Sequence, residues 1–539
     1  MRVLFVMQSP EYLRFYDATT RLLAERGHTV ELAVNKQNAA KPVRLEDVGR
    51  GNLRVIGRGI VPRRDDVWRA VGRRLRGVTD FSRYLHPRFA RARALRVRMK
   101  NKVLPRGFRW LDHIPSLPEA AVGAAIRFLT SLERCIPSSR AIEAFIGAER
   151  PDVVLVSPLI DAASDQVEIV KSARARGIPV AACVASWDNL TNKGLMRLQP
   201  DAVIVWNEAQ KDEAVRYHGV SADRVITTGA QVFDCWFERR PSSTRDEFCA
   251  RVGLSAGKPF LLFTCSSSFI SISHAEVVFV RRWIGAIRAR ARLDDVAVLV
   301  RPHPYNCSAW ETADFSDLHD VAIWPKRAYN PIDEDHRNAF FDSLYHSEAV
   351  VGINTSAMIE AAIVGRPVLS LLSQEFAGTQ EGTLHFHHLL PENGGFLRLA
   401  SSLEEHVVQL AEVMANRTAA QAETAAFVRS FIRPHGVDRP ATPLVADAIE
   451  RVAAMHPMAE RPPAWWPLGR LVLLTAGAYV WCCNLALDPE HRYKTRKRLS
   501  GAVRHRRKNV ERYIRDVRRA KSRAGKTAAK PARKGGAAL

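Results

Sequence analysis

Residues 349–362 read Ala349-Val350-Val351-Gly352-Ile353-Asn354-Thr355-Ser356-Ala357-Met358-Ile359-Glu360-Ala361-Ala362. A short β-branched run ends at a glycine, small polar residues follow, and apolar residues then recur at helical spacing. This is strand, turn and helix, the unit of an open parallel sheet. In such sheets ligands sit beyond the carboxyl ends of the strands, so Asn354, Thr355 and Ser356 fall where a ligand is expected. Amide N–H groups at a helix start, with the two hydroxyls, suit a diphosphate. Glu360, one turn on, can accept two hydrogen bonds from a ribose diol. The same letters also suit an ordinary capped helix with Ser or Thr as N-cap, and the sequence leaves both open.

The same alternation extends in both directions. Strands are predicted over 260–264, 296–300, 349–352 and 367–371, with helices near 275–292, 338–345, 357–364, 403–415, 419–431 and 444–454. Towards the N-terminus, strands are predicted at 3–6, 29–34, 153–156, 180–184, 202–206 and 224–228, with helices between. Near-continuous apolar strands separated by helices indicate parallel sheets covered on both faces. The expected fold class is α/β, with two consecutive doubly wound Rossmann-like domains, 1–237 and 238–458. An Arg-rich insertion at about 50–115 and a third region, 459–539, complete the chain.

The net charge of +24 over 539 residues is concentrated in two places. Residues 50–112 carry a net +15 and residues 490–539 a net +16, so the rest is mildly acidic. That segregation predicts local contact with a polyanionic surface. Residues 471–487 lack charge, but as a helix would measure roughly 26 Å, short of a ~30 Å hydrocarbon core. Arg470, Thr475 and Asn484 argue further against a span, while Trp465, Trp466, Tyr479 and Trp481 suit an interface. An apolar interfacial helix and a disordered basic tail, together 465–534, are therefore expected to meet an anionic membrane surface. Tyr493 and Tyr513 offer the tail no stacking platform, so no specific nucleic-acid partner is expected. Eight cysteines without C-x-x-C or Cys/His spacing predict reduced thiols and no zinc site. Residues 3–7 are apolar but only a strand long, unlike a signal peptide. The expected location is cytoplasmic, peripheral to the inner face of the membrane.

Other strand ends carry chemistry as well. In Arg301-Pro302-His303-Pro304 the prolines fix the backbone, so Arg301 presents a planar fork for phosphate and His303 a donor. Ser266 and Ser267, after the strand at 260–264, offer hydroxyls. In Ser186-Trp187-Asp188-Asn189, Trp187 can stack a sugar ring and Asn189 hydrogen-bond its hydroxyls, while Asp188 can act as a base on an acceptor hydroxyl. A buried, structurally paired Asp188 fits equally well. Glu11 and Asp17, in the first loop, are further candidates for the base.

Three segments resemble the GT-B superfamily: residues 225–234 (Val-Ile-Thr-Thr-Gly-Ala-Gln-Val-Phe-Asp, with Gly229), the Arg301-Pro302-His303-Pro304 motif, and 354–369 ending Gly365-Arg366-Pro367-Val368-Leu369. Over roughly residues 1–455 the chain resembles the branch holding UDP-GlcNAc 2-epimerases, CDP-glycerol glycerophosphotransferases and bacterial surface-carbohydrate transferases. The resemblance implies a donor nucleotide on the second domain, an acceptor on the first, and reaction between them without a required metal. It puts Ser266, Arg301, His303, Thr355, Ser356 and Glu360 on donor-site positions, and Gly229 at the junction. The epimerases' His-Arg pair is replaced here by Cys265–Ser268, and the glycerophosphotransferases' His-Gly-Thr-Pro motif by Ser186–Gly194. The expected activity is transfer of a sugar from a nucleotide-diphosphate donor, itself a substrate, to a lipid-linked or surface-glycan acceptor, with no cofactor. A nucleotide-sugar 2-epimerase, a CDP-polyol phosphotransferase and a noncatalytic polyanion-binding protein are the alternatives.

Overall fold

The computed structural model describes residues 1–36, 54–327, 333–459 and 461–487, with 492, 493, 495–497 and 511. Val- and Leu-rich runs form two all-parallel sheets, because residues buried on both sheet faces have no polar side to alternate with. The first sheet comprises β1 (Arg2–Met7), β2 (Thr29–Val34), β3 (Val55–Ile60), β4 (Val153–Ser157), β5 (Val180–Cys183), β6 (Ala202–Val205) and β7 (Val225–Thr227), in the order β3-β2-β1-β4-β5-β6-β7. The second comprises β8 (Phe260–Thr264), β9 (Ala297–Arg301), β10 (Val321–Ile323), β11 (Ala349–Gly352), β12 (Val368–Leu371) and β13 (Arg398–Ala400), in the order β10-β9-β8-β11-β12-β13. In each sheet the order reverses beside the first strand, which places the switch points at β1/β4 and β8/β11. The α/β expectation of two doubly wound units holds.

Three details differ from expectation. β3 lies inside the Arg-rich stretch, where arginines interrupt its apolar residues, and it pairs with β2 as an edge strand. β10 and β13 have three residues each, too few to show a period. Helix Ala441–Ala453, expected to close the second unit, instead packs Val445, Ile449 and Val452 among Val3, Phe5 and Val30 of the first sheet. The chain therefore crosses between domains a second time. Asp234 fastens that crossing: its carboxylate accepts hydrogen bonds from Arg433 (3.0 Å), the Ala441 and Thr442 amides (3.0 and 2.7 Å) and the Thr442 hydroxyl (2.7 Å).

The insertion is less superficial than its charge implies. Arg64, Arg76 and Arg83 are all 4% exposed or less. Arg76 pairs with Glu133 at 2.8 Å, Lys171 with the same carboxylate at 2.6 Å, and Arg64 with Glu168 at 2.7 Å. Part of the +15 thus neutralises buried carboxylates, and breaking one such pair costs about 3–5 kcal/mol because it strands the other charge. The expected apolar C-terminal helix is present as Trp466–Leu487. It rests on helices Trp68–Ser82 and Glu119–Cys135 and on the turn Arg106–His113. Most of the basic tail lies outside the described residues.

Candidate functional site

The loops following β8, β9 and β11 open on one cleft between the domains, a cavity of about 380 Å³. The second domain contributes Thr264, Cys265, Arg301, His303, Thr355, Ser356 and Glu360, and the first contributes Arg14, Asp17, Ser186, Trp187 and Gln231. A smaller recess of about 210 Å³ shares Ser186, Trp187, His303, Thr355 and Ser356 with it, and adds Arg98, Asp188, Asn192, Ser267, Asn354 and His385. The turn around Asn354 and the bend at His303 therefore converge.

Arg301 is the last residue of β9, in register with Thr264, so its side chain leaves the sheet at the cleft. The rings of Phe340 and Trp324, centred 5.0 and 5.3 Å from its guanidinium carbon, hold it in place. The Tyr305 amide donates to His303 Nδ1 at 3.1 Å, so the ring proton sits on Nε2. Burial, then Arg14, pushes the His303 imidazolium down to about 4, leaving a neutral donor at neutral pH. Ser356 precedes helix Ala357–Ile363 with helical dihedrals and makes no side-chain capping bond. The capping alternative thus fails for Ser356, whose hydroxyl is exposed, but holds at Thr355, whose Oγ1 accepts from the Ala357 amide at 3.5 Å. At seven residues the helix is short, so the hydroxyls and Arg301 matter more here than its dipole. Burial raises the Glu360 carboxyl to about 8 against the pull of Arg14 and Arg301.

In the recess, burial pulls Asp188 upward, but Lys193, His385 and a hydrogen bond from Ser186 together hold it below the usual carboxylate range. Asp188 is thus an anion enclosed beside Trp187. The Trp187 ring meets His385 edge-on at 4.6 Å. His385 Nδ1 lies 2.7 Å from the Asn192 side-chain amide, and burial pushes its imidazolium down to about 4. Asn354 donates to Thr379 O at 2.7 Å, pinning its own turn. Its Oδ1 and that of Asn192 are buried without a partner, two acceptors ready for hydroxyl donors.

Four predicted site residues stand elsewhere. Glu11, in the turn Pro10–Phe15, lines neither cavity. Gly229 sits at φ +89 with a would-be Cβ 2.8 Å from Ala441 Cβ, so its glycine serves the crossing between domains. Asn189 donates to Asp188 at 3.2 Å and accepts from the Ala185 amide at 3.2 Å, which orients the carboxylate but leaves no reach for an acceptor. Ser266 is turned beneath the loop, its amide on Glu276 at 2.8 Å and its carbonyl on Asn306 at 2.9 Å. Asp17 does line the cleft, paired with Arg21 at 2.9 Å.

Arg14, Arg98, Asn192 and His385 were not singled out from sequence. Arg14 lies in the first loop with Glu11 and Asp17, Arg98 is one of many basic residues in the insertion, and Asn192 lies in the Trp187 loop. His385 opens a His-Phe-His-His run after β12, the one signal that could have flagged it. Among the described residues no cluster of three metal-ligating side chains occurs.

No protein-family model and no curated protein matches the chain. Solved structures do resemble it. UDP-GlcNAc 2-epimerase from Neisseria meningitidis, bound to UDP-GlcNAc, aligns at TM-score 0.46 and 12% identity over 84% of this chain and 100% of its own. S. aureus MnaA with UDP aligns at 0.48 and 13%, over 86% and 98%. A glycosyltransferase from Rickettsia africae aligns at 0.48 and 8%, over 84% and 99%. The two doubly wound Rossmann-like units stand on their own strand order, and similarity at this level carries no argument about chemistry.

Proposed function

We propose that the chain is a glycosyltransferase that binds a nucleotide-diphosphate sugar on its second domain and transfers the sugar to a hydroxyl held beside Asp188. One observation carries the reading. Three strand-end loops meet at the β8/β11 switch point and bring a braced guanidinium, a neutral imidazole N–H and an uncapped hydroxyl into one interdomain cleft.

In this reading the acceptor oxygen attacks the anomeric carbon. The bond from that carbon to the diphosphate breaks, and its electron pair leaves on the phosphate oxygen. Arg301, His303 Nε2–H, Thr355 and Ser356 stabilise the charge appearing there, and Glu360 faces the ribose. The acceptor proton passes to Asp188. Because that carboxylate is held below its usual range, it is fully ionised at neutral pH and takes the proton late, once the hydroxyl has been acidified by bond formation. Trp187, 5% exposed and packed edge-on against His385, walls the acceptor side of the cleft but leaves no open face for stacking. The nucleotide sugar is a substrate, and no cofactor or metal is assigned. A lipid-linked or surface-glycan acceptor, met at the cytoplasmic face of the membrane, completes the proposal and fits the segregated positive charge.

The test is a panel of nucleotide sugars scored first for thermal stabilisation and then for nucleotide release with and without glycan or lipid acceptors. A ligand at 100 times its Kd adds about 2.7 kcal/mol to stability. Release that requires an acceptor supports transfer. Turnover of the sugar without any acceptor would make the protein an epimerase, and no stabilisation by any nucleotide would end the donor-site reading.

A further inference from the structure

Helix Trp466–Leu487 carries a single charged residue, Arg470, and apart from Thr475 and Asn484 is apolar around its circumference. Such helices belong in a core or in lipid, yet only 11% of its most apolar stretch is buried. Gly469, Leu473, Gly477 and Val480 form the buried stripe, four positions that share one helix face. On the other side Leu468, Leu471, Tyr479 and Trp481 are 42–60% exposed, and Trp110 and Phe128, from the segments beneath the helix, are 56% and 55% exposed. A contiguous apolar surface of this kind on a soluble chain marks a docking site.

We infer that this face seats on an anionic lipid bilayer with the helix lying in the interfacial plane, not crossing it. The orientation follows from three ties along the helix. Arg470 Nε donates to Cys135 O at 2.9 Å near its start, Arg74 Nη1 to Gly477 O at 2.7 Å in its middle, and Arg106 Nη1 to Leu487 O at 3.1 Å at its end. A helix fastened lengthwise to the protein body cannot cross a bilayer without breaking those ties. It would also strip the Gly469–Val480 stripe of its partners and carry Arg470 into hydrocarbon.

Charge identifies lipid as the occupant. The supporting segments expose Arg69, Arg73, Arg106, Arg109 and Arg127, and residues 490–539 bring a further net +16. A second copy on the same face would press these like charges together, whereas an anionic leaflet neutralises them. An apolar face and a polybasic segment are the two signals that stable surface binding needs. The inference deepens the membrane part of the proposed function but does not use the donor cleft, so either can fail alone.

The purified full chain is mixed with phosphatidylcholine vesicles, with or without about one-third phosphatidylserine. Co-sedimentation is expected to be at least about tenfold stronger with the anionic vesicles and to fall with added salt. The double variant Leu468→Asp/Leu471→Asp is expected to lose about tenfold more while keeping the parent melting temperature, since neither side chain is buried. Trp110→Ala, in the insertion, should weaken binding in the same direction. Carbonate washing of membranes from expressing cells should release the protein. Vesicle binding untouched by both variants would overturn the inference, as would resistance to carbonate, which marks a span. A dimer in solution that the double variant dissolves would assign the face to a second copy instead. A parent chain that releases nucleotide but does not bind anionic vesicles condemns only this inference, and one that binds vesicles but releases no nucleotide condemns only the transferase reading.

Discussion

Apart from the additional edge strand β7 the two sheets share one strand order, and they differ in what fills the reversal. At β1/β4 the first domain plugs its own crevice. Tyr16 Oη shares a hydrogen bond with Ser157 Oγ at 2.9 Å and donates to Cys183 O at 2.9 Å. Gln166 Nε2 donates to Val6 O at 3.1 Å and Ser157 O at 2.8 Å. At β8/β11 the corresponding space stays open. Gly352 lets Thr264 pack against it, since a Cβ would lie 2.9 Å from Thr264 Oγ1, and beyond it Thr264, Cys265 and Thr355 line the cleft. Topology thus offers two crevices of equal standing, and side-chain packing decides which one stays open.

Removing the proposed base should have the largest effect. Asp188→Asn is expected to slow transfer by about 10²–10⁴ with donor binding intact, measured as turnover against nucleotide-induced thermal shift. A variant that transfers at the parent rate would return Asp188 to a structural role. Next, Arg301→Ala should weaken nucleotide binding by about 10–100-fold, as befits a lost charge-assisted contact of about 1.5–3 kcal/mol. Tyr16→Phe, its counterpart at the plugged crevice, should lower stability by about 1–3 kcal/mol and leave nucleotide affinity alone. If instead it alters nucleotide affinity, the two crevices are not divided as described.

The smallest effect concerns Glu360. Because burial lifts its carboxyl from 4.5 to about 8, over that window the folded chain keeps a proton that the unfolded chain has lost. Its contribution to stability therefore falls as pH rises from about 4.5 towards about 8. Glu360→Gln should flatten the fall in Tm between pH 5.5 and 8, and a Tm profile identical to the parent would show that Glu360 is ionised throughout.

The sheets were legible because buried parallel strands leave long apolar runs. β3 was not, since an edge strand tolerates Arg58 and two glycines, and it disappeared into the charge around it. In the site, Arg301, His303, Thr355 and Ser356 could be read because a strand end and a turn fix where their side chains go. Ser266 was misjudged because a glutamate ten residues away, Glu276, turns it inward. Arg98 and His385 were missed because they reach the recess from an insertion and from a loop beyond β12, and no local pattern records that approach. Ser356 shows the limit most plainly. Whether a hydroxyl caps a helix or awaits a ligand depends on backbone dihedrals that the letters leave free.

The clasp at Asp234 has a mechanical meaning. Two strands of chain, one leaving the first domain near Gly229 and one re-entering it at Ala441, meet there, and the Ala230 amide donates to Ile432 O at 2.9 Å. The lobes are tied at a second place as well, where His388 Nε2 meets the Glu213 carboxylate at 2.7 Å and His385 Nδ1 meets the Asn192 side-chain amide at 2.7 Å. Moving the lobes apart would therefore have to break hydrogen bonds at two places, so the width of the cleft between Arg14 and Glu360 is set by both.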